Sequence, residues 1–161
     1  MAVPFTAGQR VLASDLNLAT QQSAWTSYLV SWTSTGTTPV LGNGTLVGYY
    51  AKVGRLVTAK IALSSGSSTT FGTGNYSFTL PFTAAATGVA AGGFAHAGEW
   101  SIYNAGTTTF YAASAAIQQG APGQVVGLVN ASANFLGATN PATFSASGCQ
   151  LTCTITYEST S

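Results

Sequence analysis

Chemistry in a chain of 161 residues has to come from acids, bases, thiols and metal ligands, and this chain holds few of them. Its one histidine is His96, in the run Ala95-His96-Ala97-Gly98-Glu99-Trp100, which places an acid nearby. A nucleophilic triad needs a base, an orienting acid and a hydroxyl or thiol within hydrogen-bond reach. Serines are so abundant that their presence selects nothing, and no Gly-x-Ser-x-Gly elbow occurs. The expected role of His96 is that of a solvent-exposed residue at a strand end. A glycosidase pair needs two carboxyl groups flanking a sugar. Only Asp15, Glu99 and Glu158 are available; Asp15 suits a helix start and Glu158 lies near the C-terminal end. Zinc takes about four ligands, and one histidine with two cysteines falls short. Gly42-Asn43-Gly44 and Gly72-Thr73-Gly74 lack the lysine and helix of a phosphate loop, so they read as turns. No enzymatic activity, metal or cofactor is expected.

The two cysteines, Cys149 and Cys153, occupy a clean alternation. Cys149, Leu151, Cys153, Ile155 and Tyr157 fall on one side, and Gln150, Thr152, Thr154 and Thr156 on the other. This is the pattern of a strand with one buried face. Four residues of strand span about 13 Å, whereas a disulfide needs Cα atoms within about 7 Å. The pair is therefore expected as reduced, small core residues.

The elements that would carry any site read as β. Ser14 can cap a short helix over Asp15–Gln22, with Leu12, Leu16 and Ala19 on one stripe. Such a helix is too short to stand alone and must dock on something. From Trp25 onward, Tyr28–Trp32 reads as a first strand. Val47, Tyr49, Ala51 and Val53 then face Val57, Ala59, Ile61 and Leu63 across a turn at Gly54, as the two arms of a hairpin. Tyr76, Phe78 and Leu80 form a strand stopped by Pro81. Val89–His96, Thr108–Ala113, Gln124–Val129 and Cys149–Tyr157 complete the set. The expected fold is all-β: an antiparallel β-sandwich or jelly-roll-like barrel preceded by a short N-terminal arm and helix. Residues 1–23 form the arm, and 24–161 the β domain.

Composition narrows the function. Hydrophobic residues make up 46% of the chain and charged residues only 4%, against about 25% in ordinary domains. Three Trp, seven Tyr and eight Phe exclude disorder. The polar surface must therefore be neutral, built from Ser, Thr, Asn, Gln and Gly, with little repulsion between copies. That suits a subunit whose working state is an assembly. Arg10, Lys52, Arg55 and Lys60 are too few for a phosphate-binding patch, so no nucleic-acid partner is expected. No apolar run reaches the about 18 residues of a membrane span. Met1–Arg10 lacks the basic start and apolar core of a signal peptide. An extracellular composition without an export signal fits a virion protein released by lysis. Trp25, Trp32, Tyr50, Trp100 and Tyr103 are the candidate aromatics for a subunit interface or a glycan-stacking face.

Two passages carry a resemblance. Pro4-Phe5-Thr6-Ala7-Gly8-Gln9-Arg10-Val11-Leu12-Ala13-Ser14-Asp15-Leu16-Asn17 resembles the N-terminal motif of phage tail-fibre and virion proteins, a glycine turn before a short helix containing Leu-Asn. That motif often has Thr or Ser after the leucine; here Ala13 stands there, which moves the cap to Ser14. The stretch from Trp25 to Pro81 includes Pro39-Val40-Leu41-Gly42-Asn43-Gly44-Thr45, Gly48-Tyr49-Tyr50-Ala51-Lys52-Val53-Gly54-Arg55 and Thr70-Phe71-Gly72-Thr73-Gly74-Asn75-Tyr76-Ser77-Phe78-Thr79-Leu80-Pro81. It is similar to small virion proteins, of the minor tail or head-decoration type, of tailed phages infecting high-GC Gram-positive bacteria. The resemblance covers about half of the chain. It implies an oligomeric particle component without a catalytic motif, in the capsid or the tail. The expected protein is a homotrimer that stabilises a capsid or serves as a minor tail component, held to other virion proteins through Phe5, Leu12 and Leu16 of the arm. The alternative is a host-adhesion module that binds surface glycan.

Overall fold

The alternating runs on either side of Gly54 fold as a long hairpin in the computed structural model, which describes residues 24–85, 93–129 and 134–161. Strand β3 (Thr45–Val53) pairs antiparallel with β4 (Leu56–Ser64), from Val53 opposite Leu56 to Thr45 opposite Ser64. Gly54 turns the chain at φ 58°, a left-handed conformation that costs glycine nothing because it has no Cβ. The cysteine strand, β10 (Gln150–Glu158), lies beside β4 with Cys153 opposite Ile61. Its other neighbour is β6 (Phe94–Asn104). Strands β7 (Thr109–Gln118), β8 (Gln124–Val129), β5 (Tyr76–Thr79) and β2 (Trp32–Ser34) continue the sheet from β6. The opposite end is β1 (Thr26–Tyr28), and β9 (Asn134–Phe135) adds to β8. Each pairing between these strands is antiparallel.

The two ends of this strand order, β1 and β2, are joined by Leu29–Ser31 alone. Extended residues advance about 3.3 Å each, so so short a link forces the ends of the sheet together. The sheet is therefore curled into a half-barrel, consistent with an all-β sandwich or barrel. The seam is tied by Thr79, whose backbone N–H donates to the Ser31 carbonyl at 3.1 Å and whose Oγ1 accepts from the Ser31 N–H at 2.8 Å. Tyr28 reaches across the seam to donate to the Thr79 carbonyl at 3.3 Å. Gly48 permits the closure: a Cβ there would lie 2.4 Å from Val30 Cγ2 and 2.5 Å from Tyr28 Cε1. On the far side, a register shift in β6 between His96 and Gly98 forms a bulge. Bulges bend the strand that carries them and help a sheet to curl.

The structure corrects two expectations. The single strand expected over Tyr28–Trp32 is two strands, because the chain leaves one end of the sheet there and enters the other. The strand expected to finish at His96 runs on to Asn104, so Trp100 and Ile102 belong to it. The expected reach of that strand back to Val89, the helix over 15–22 and the arm residues Phe5, Leu12 and Leu16 lie outside the described residues.

Curling brings strands that are distant in the sheet face to face, and rings fill the space. Phe71 contacts Phe144 at 5.7 Å and Trp32 at 6.1 Å. Trp32 meets Tyr76 at 5.2 Å and lies parallel to Phe78 at 6.2 Å. Phe78 then meets Trp100 at 4.8 Å. The inward side chains of β4 and β10, among them Ile61, Leu63, Leu151 and Ile155, close the remaining core. Cys149 and Cys153 are buried free thiols, as their alternation implies. A buried polar cluster fixes the segment before β10. Ser65 Oγ donates to the Ala146 carbonyl at 3.0 Å and accepts from the Cys149 N–H at 2.9 Å. Asn104 donates from Nδ2 to the Thr143 carbonyl at 3.1 Å and accepts at Oδ1 from the Gly106 N–H at 3.0 Å.

The two core tryptophans differ in one respect that can be measured. Trp100 Nε1 donates to the Val126 carbonyl at 3.2 Å, whereas the buried Trp32 Nε1 has no hydrogen-bond partner among the described residues. A phenylalanine at either place leaves a similar void, but only at position 100 is a bond lost. Trp100→Phe is expected to destabilise the protein by about 1–2 kcal/mol more than Trp32→Phe, as read by urea unfolding of the two variants. Equal losses would show that the indole bond contributes nothing.

Candidate functional site

The five aromatics expected at an interface or glycan face do not share a surface. Trp32 and Trp100 are core residues at 7% and 1% exposure, because alternation along β2 and β6 turns them into the ring-filled interior. Tyr50 also points inward, where it meets Phe82 at 5.1 Å and Tyr28 at 6.2 Å, each edge to face. Only Trp25 and Tyr103 meet solvent on the outside. Trp25 is exposed beneath the Lys60 ammonium, which sits 4.6 Å from its ring. Tyr103 is half-buried against Phe110, with ring centroids 4.8 Å apart. Four strand spacings separate β1, beside Trp25, from β6, which carries Tyr103. That is about 19 Å at the usual interval, too far for one stacking platform.

Exposed apolar side chains also lie along the β3–β4 hairpin. In β4, Val57, Ala59, Ile61 and Leu63 point inward. The register sets Val47 opposite Ala62, Tyr49 opposite Lys60 and Val53 opposite Leu56. The apolar set of β3 is therefore on the outer face of the sheet, while its inner positions are Leu46, Gly48, Tyr50 and Lys52. Trp25, Val47, Tyr49, Val53 and Leu56 form an exposed apolar stripe along this hairpin. The inward Lys52 spans the edge, with its ammonium 4.5 Å over the Phe82 ring and donating to the Ser161 carbonyl. Arg55 meets Glu158 at 3.1 Å in solvent, a geometry worth little stability.

A second feature is a cleft of about 270 Å³ on the outer face of β5 and β8. Asn75, Ser77, Gln118, Gln124 and Thr35 supply its polar lining, and Phe135 and Val126 its apolar wall. At Asn75 and Phe135 it opens into a shallower space bounded by Asn134 and Asn140. None of these residues stood out in the sequence. The available signal was weak: Gln118-Gln119 and Gln124 flank a Gly-Ala-Pro-Gly turn, and Asn75 follows Gly74. Amides beside turns are common, so the pattern alone selects nothing.

The acid and base candidates are dispersed. His96 is the third residue of β6, and its expected exposure concerns a side chain outside the described residues. Glu99 is exposed on the outer face, opposite Ser114 on β7 and Thr154 on β10. Among the described residues, no three His, Cys, Asp or Glu side chains converge on a point that could hold a metal ion. Comparison with known proteins gives no matching family, no similar curated protein and no similar solved structure.

The perturbed ionisable groups belong to the core. Burial holds the Tyr28 and Tyr76 phenols well above the ordinary tyrosine range, with smaller contributions from Tyr157 and Cys153 at Tyr28 and from Cys149 at Tyr76. Burial also raises the Cys153 thiol. Tyr157 is pushed up to about 12 by burial, partly opposed by its hydrogen bond to the Phe82 backbone. All four groups stay protonated in the folded chain at pH values where the unfolded chain sheds their protons. Their stabilising effect is complete below the ordinary values and is lost as pH rises through the folded ones. The melting temperature is expected to fall from about pH 9–10 upward. Tyr157→Phe should melt lower at neutral pH, having lost its hydrogen bonds, yet fall less between about pH 10 and 12. Calorimetric scans across that range check both statements, and parallel curves for parent and variant would contradict the assignment.

Proposed function

We propose that this chain is a structural protein of a tailed-bacteriophage virion that acts by assembly, as a capsid-decoration protein or a minor tail component. The single observation that carries the proposal is the outward apolar stripe of the β3–β4 hairpin in a chain with 4% charged residues. An apolar strip favours association, since contact removes about 25 cal/mol per Å² of apolar exposure, and of the charges beside it Arg55 and Glu158 already pair with each other. The gain is reduced by the ordering costs of association. In this proposal the curled sheet works as a jelly-roll-like sandwich, and copies meet through the stripe in a homotrimer. Residues 1–23 join other virion proteins through Phe5, Leu12 and Leu16. The resemblance of 4–17 and 25–81 to phage virion proteins supports the same proposal.

A second reading is a host-adhesion module of the tail, favoured by the amide-lined cleft. It differs from the first in needing a ligand rather than only a neighbour.

Val53→Lys and Leu56→Lys place cations on exposed positions, where folding stability should change by no more than about 0.5 kcal/mol. Together they are expected to shift the chain toward monomer in analytical ultracentrifugation while leaving the melting temperature nearly unchanged. An unaltered oligomer would remove the stripe as the interface. Immunogold electron microscopy of particles then tests the assignment itself. Gold over the head identifies capsid decoration, and gold at the tail identifies a tail component. A chain absent from dissociated virions as well as from intact ones ends the virion proposal.

A further inference from the structure

We infer that the cleft on the outer face of β5 and β8 is a binding site for a neutral sugar ring. The inference rests on the adhesion reading for its biological setting and on geometry for its chemistry. Six residues carry it: Thr35, Asn75, Ser77, Gln118, Gln124 and Phe135. Two of the lining amides end β7 and begin β8, one precedes β5, and the ring comes from β9. The side-chain amides of Asn75, Gln118 and Gln124 make no hydrogen bond among the described residues, and each is only partly buried. They are therefore open to a ligand.

An amide presents a donor and an acceptor side by side. Neighbouring sugar hydroxyls need that combination, because each hydroxyl both donates and accepts. Phe135 adds an apolar surface for the C–H face of a ring, as aromatic side chains do in small-molecule sites. Among the described residues, none that lines the cleft or the space beyond it is charged. A phosphate or carboxylate would find no cation there, and a cation no carboxylate. A purely apolar ligand would leave the amides dehydrated and unpaired, which is costly. The cleft is smaller than the roughly 300–1,000 Å³ of a drug-sized site, so it holds one ring. The space at Asn134 and Asn140 leaves room for an adjoining residue of a chain.

The frame of the cleft is fixed before any ligand arrives. Asn75 and Thr35 are joined by two bonds of 3.0 Å, one from the Thr35 N–H to the Asn75 carbonyl and one from the Asn75 N–H to Thr35 Oγ1. The Ala121 N–H donates to the Gln118 carbonyl at 2.9 Å, and the Gln124 N–H donates to the Ala121 carbonyl at 3.1 Å. These bonds hold the two glutamines on one turn. Phe135 packs on Phe94 at 5.6 Å, and its carbonyl accepts from Asn140 Nδ2 at 2.7 Å. A preformed frame reduces the ordering cost of binding. One ring in one small cleft binds weakly, and linked copies would raise the avidity.

The test is a nuclear magnetic resonance titration of the full chain, labelled with nitrogen-15, against the methyl glycosides of glucose, galactose, mannose and N-acetylglucosamine. The expected result is saturable shifts at Asn75, Gln118, Gln124 and Phe135 with at least one glycoside, at millimolar half-saturation. Phe135→Ala and Gln124→Ala should each weaken that binding about tenfold or more, while Phe135→Tyr should retain it. Glucuronate and galactose 6-sulfate should bind more weakly than their neutral parents. Absence of saturable shifts with every glycoside up to about 100 mM overturns the inference, as does parental affinity in both alanine variants. The adhesion reading fails separately. If the glycosides bind but labelled chain does not bind cells, the cleft stands and adhesion falls. If cells are bound equally by the parent and both alanine variants, adhesion stands and this cleft is not its site.

Discussion

The contact between Phe78 and Trp100 is the one on which the rest of the structure depends. Their strands, β5 and β6, are separated in the sheet by β8 and β7, so the rings can touch only if the sheet curls back on itself. The seam at Leu29–Ser31 requires the same curvature from the outside. One constraint acts through core packing and the other through chain length, and they agree. Between them, Trp32 belongs to both: it begins the strand at one end of the sheet and stacks on Phe78. Because interiors pack as densely as crystals, a ring lost from this row leaves a void that rigid strands cannot easily close.

That arrangement determines what is left for the outside. The core takes Trp32, Tyr76, Phe78 and Trp100 from the second half of the sheet, and the outer face keeps Tyr103, Phe110 and Phe135 among Thr, Ser, Gln and small apolar residues. Along β10 the outward positions are Gln150, Thr152, Thr154, Thr156 and Glu158, a hydrogen-bonding surface with one acid. On β3 the assignment is reversed, because Gly48 must face inward to admit Val30 and Tyr28 at the seam. Once Gly48 is inside, Val47 and Tyr49 have to be outside. The apolar stripe is thus a consequence of how the sheet closes.

This explains how much could be read from the sequence. The alternation of β10 and of β4 gave their buried faces directly, and Gly54 marked the hairpin. The all-β class followed from those runs. The face of β3 was not legible, because Val47, Tyr49 and Val53 alternate as cleanly as a core set. Only the register with β4 and the demand for space at Gly48 decide between the faces. The split of Tyr28–Trp32 into two strands was hidden for a related reason, since residue types do not record that a chain passes from one end of a sheet to the other. Aromatic identity was no guide to exposure: Trp25, Trp32 and Trp100 look alike in sequence, yet one is on the surface and two are inside. The cleft depends on residues from five separated stretches, so no local pattern could assemble it.

The stripe and the cleft use different strands. The stripe runs along β3 and β4 beside Trp25, and the cleft is framed by β5, β8 and the end of β7 with β9. In the strand order, β10, β6 and most of β7 lie between them on one side, and β1 and β2 across the seam on the other. Copies that meet through the stripe therefore need not cover the cleft. The cleft lining carries no charged residue among those described, and the charges beside the stripe are Lys60 and the Arg55–Glu158 pair next to Leu56. Screening acts on charges and hardly touches apolar burial or amide hydrogen bonds. The physical basis for self-association and the basis for ligand contact are in this sense the same: a neutral surface in which shape, apolar area and paired donors and acceptors do what charge does in other proteins. A chain with so few ionic groups has no other means of choosing its partners.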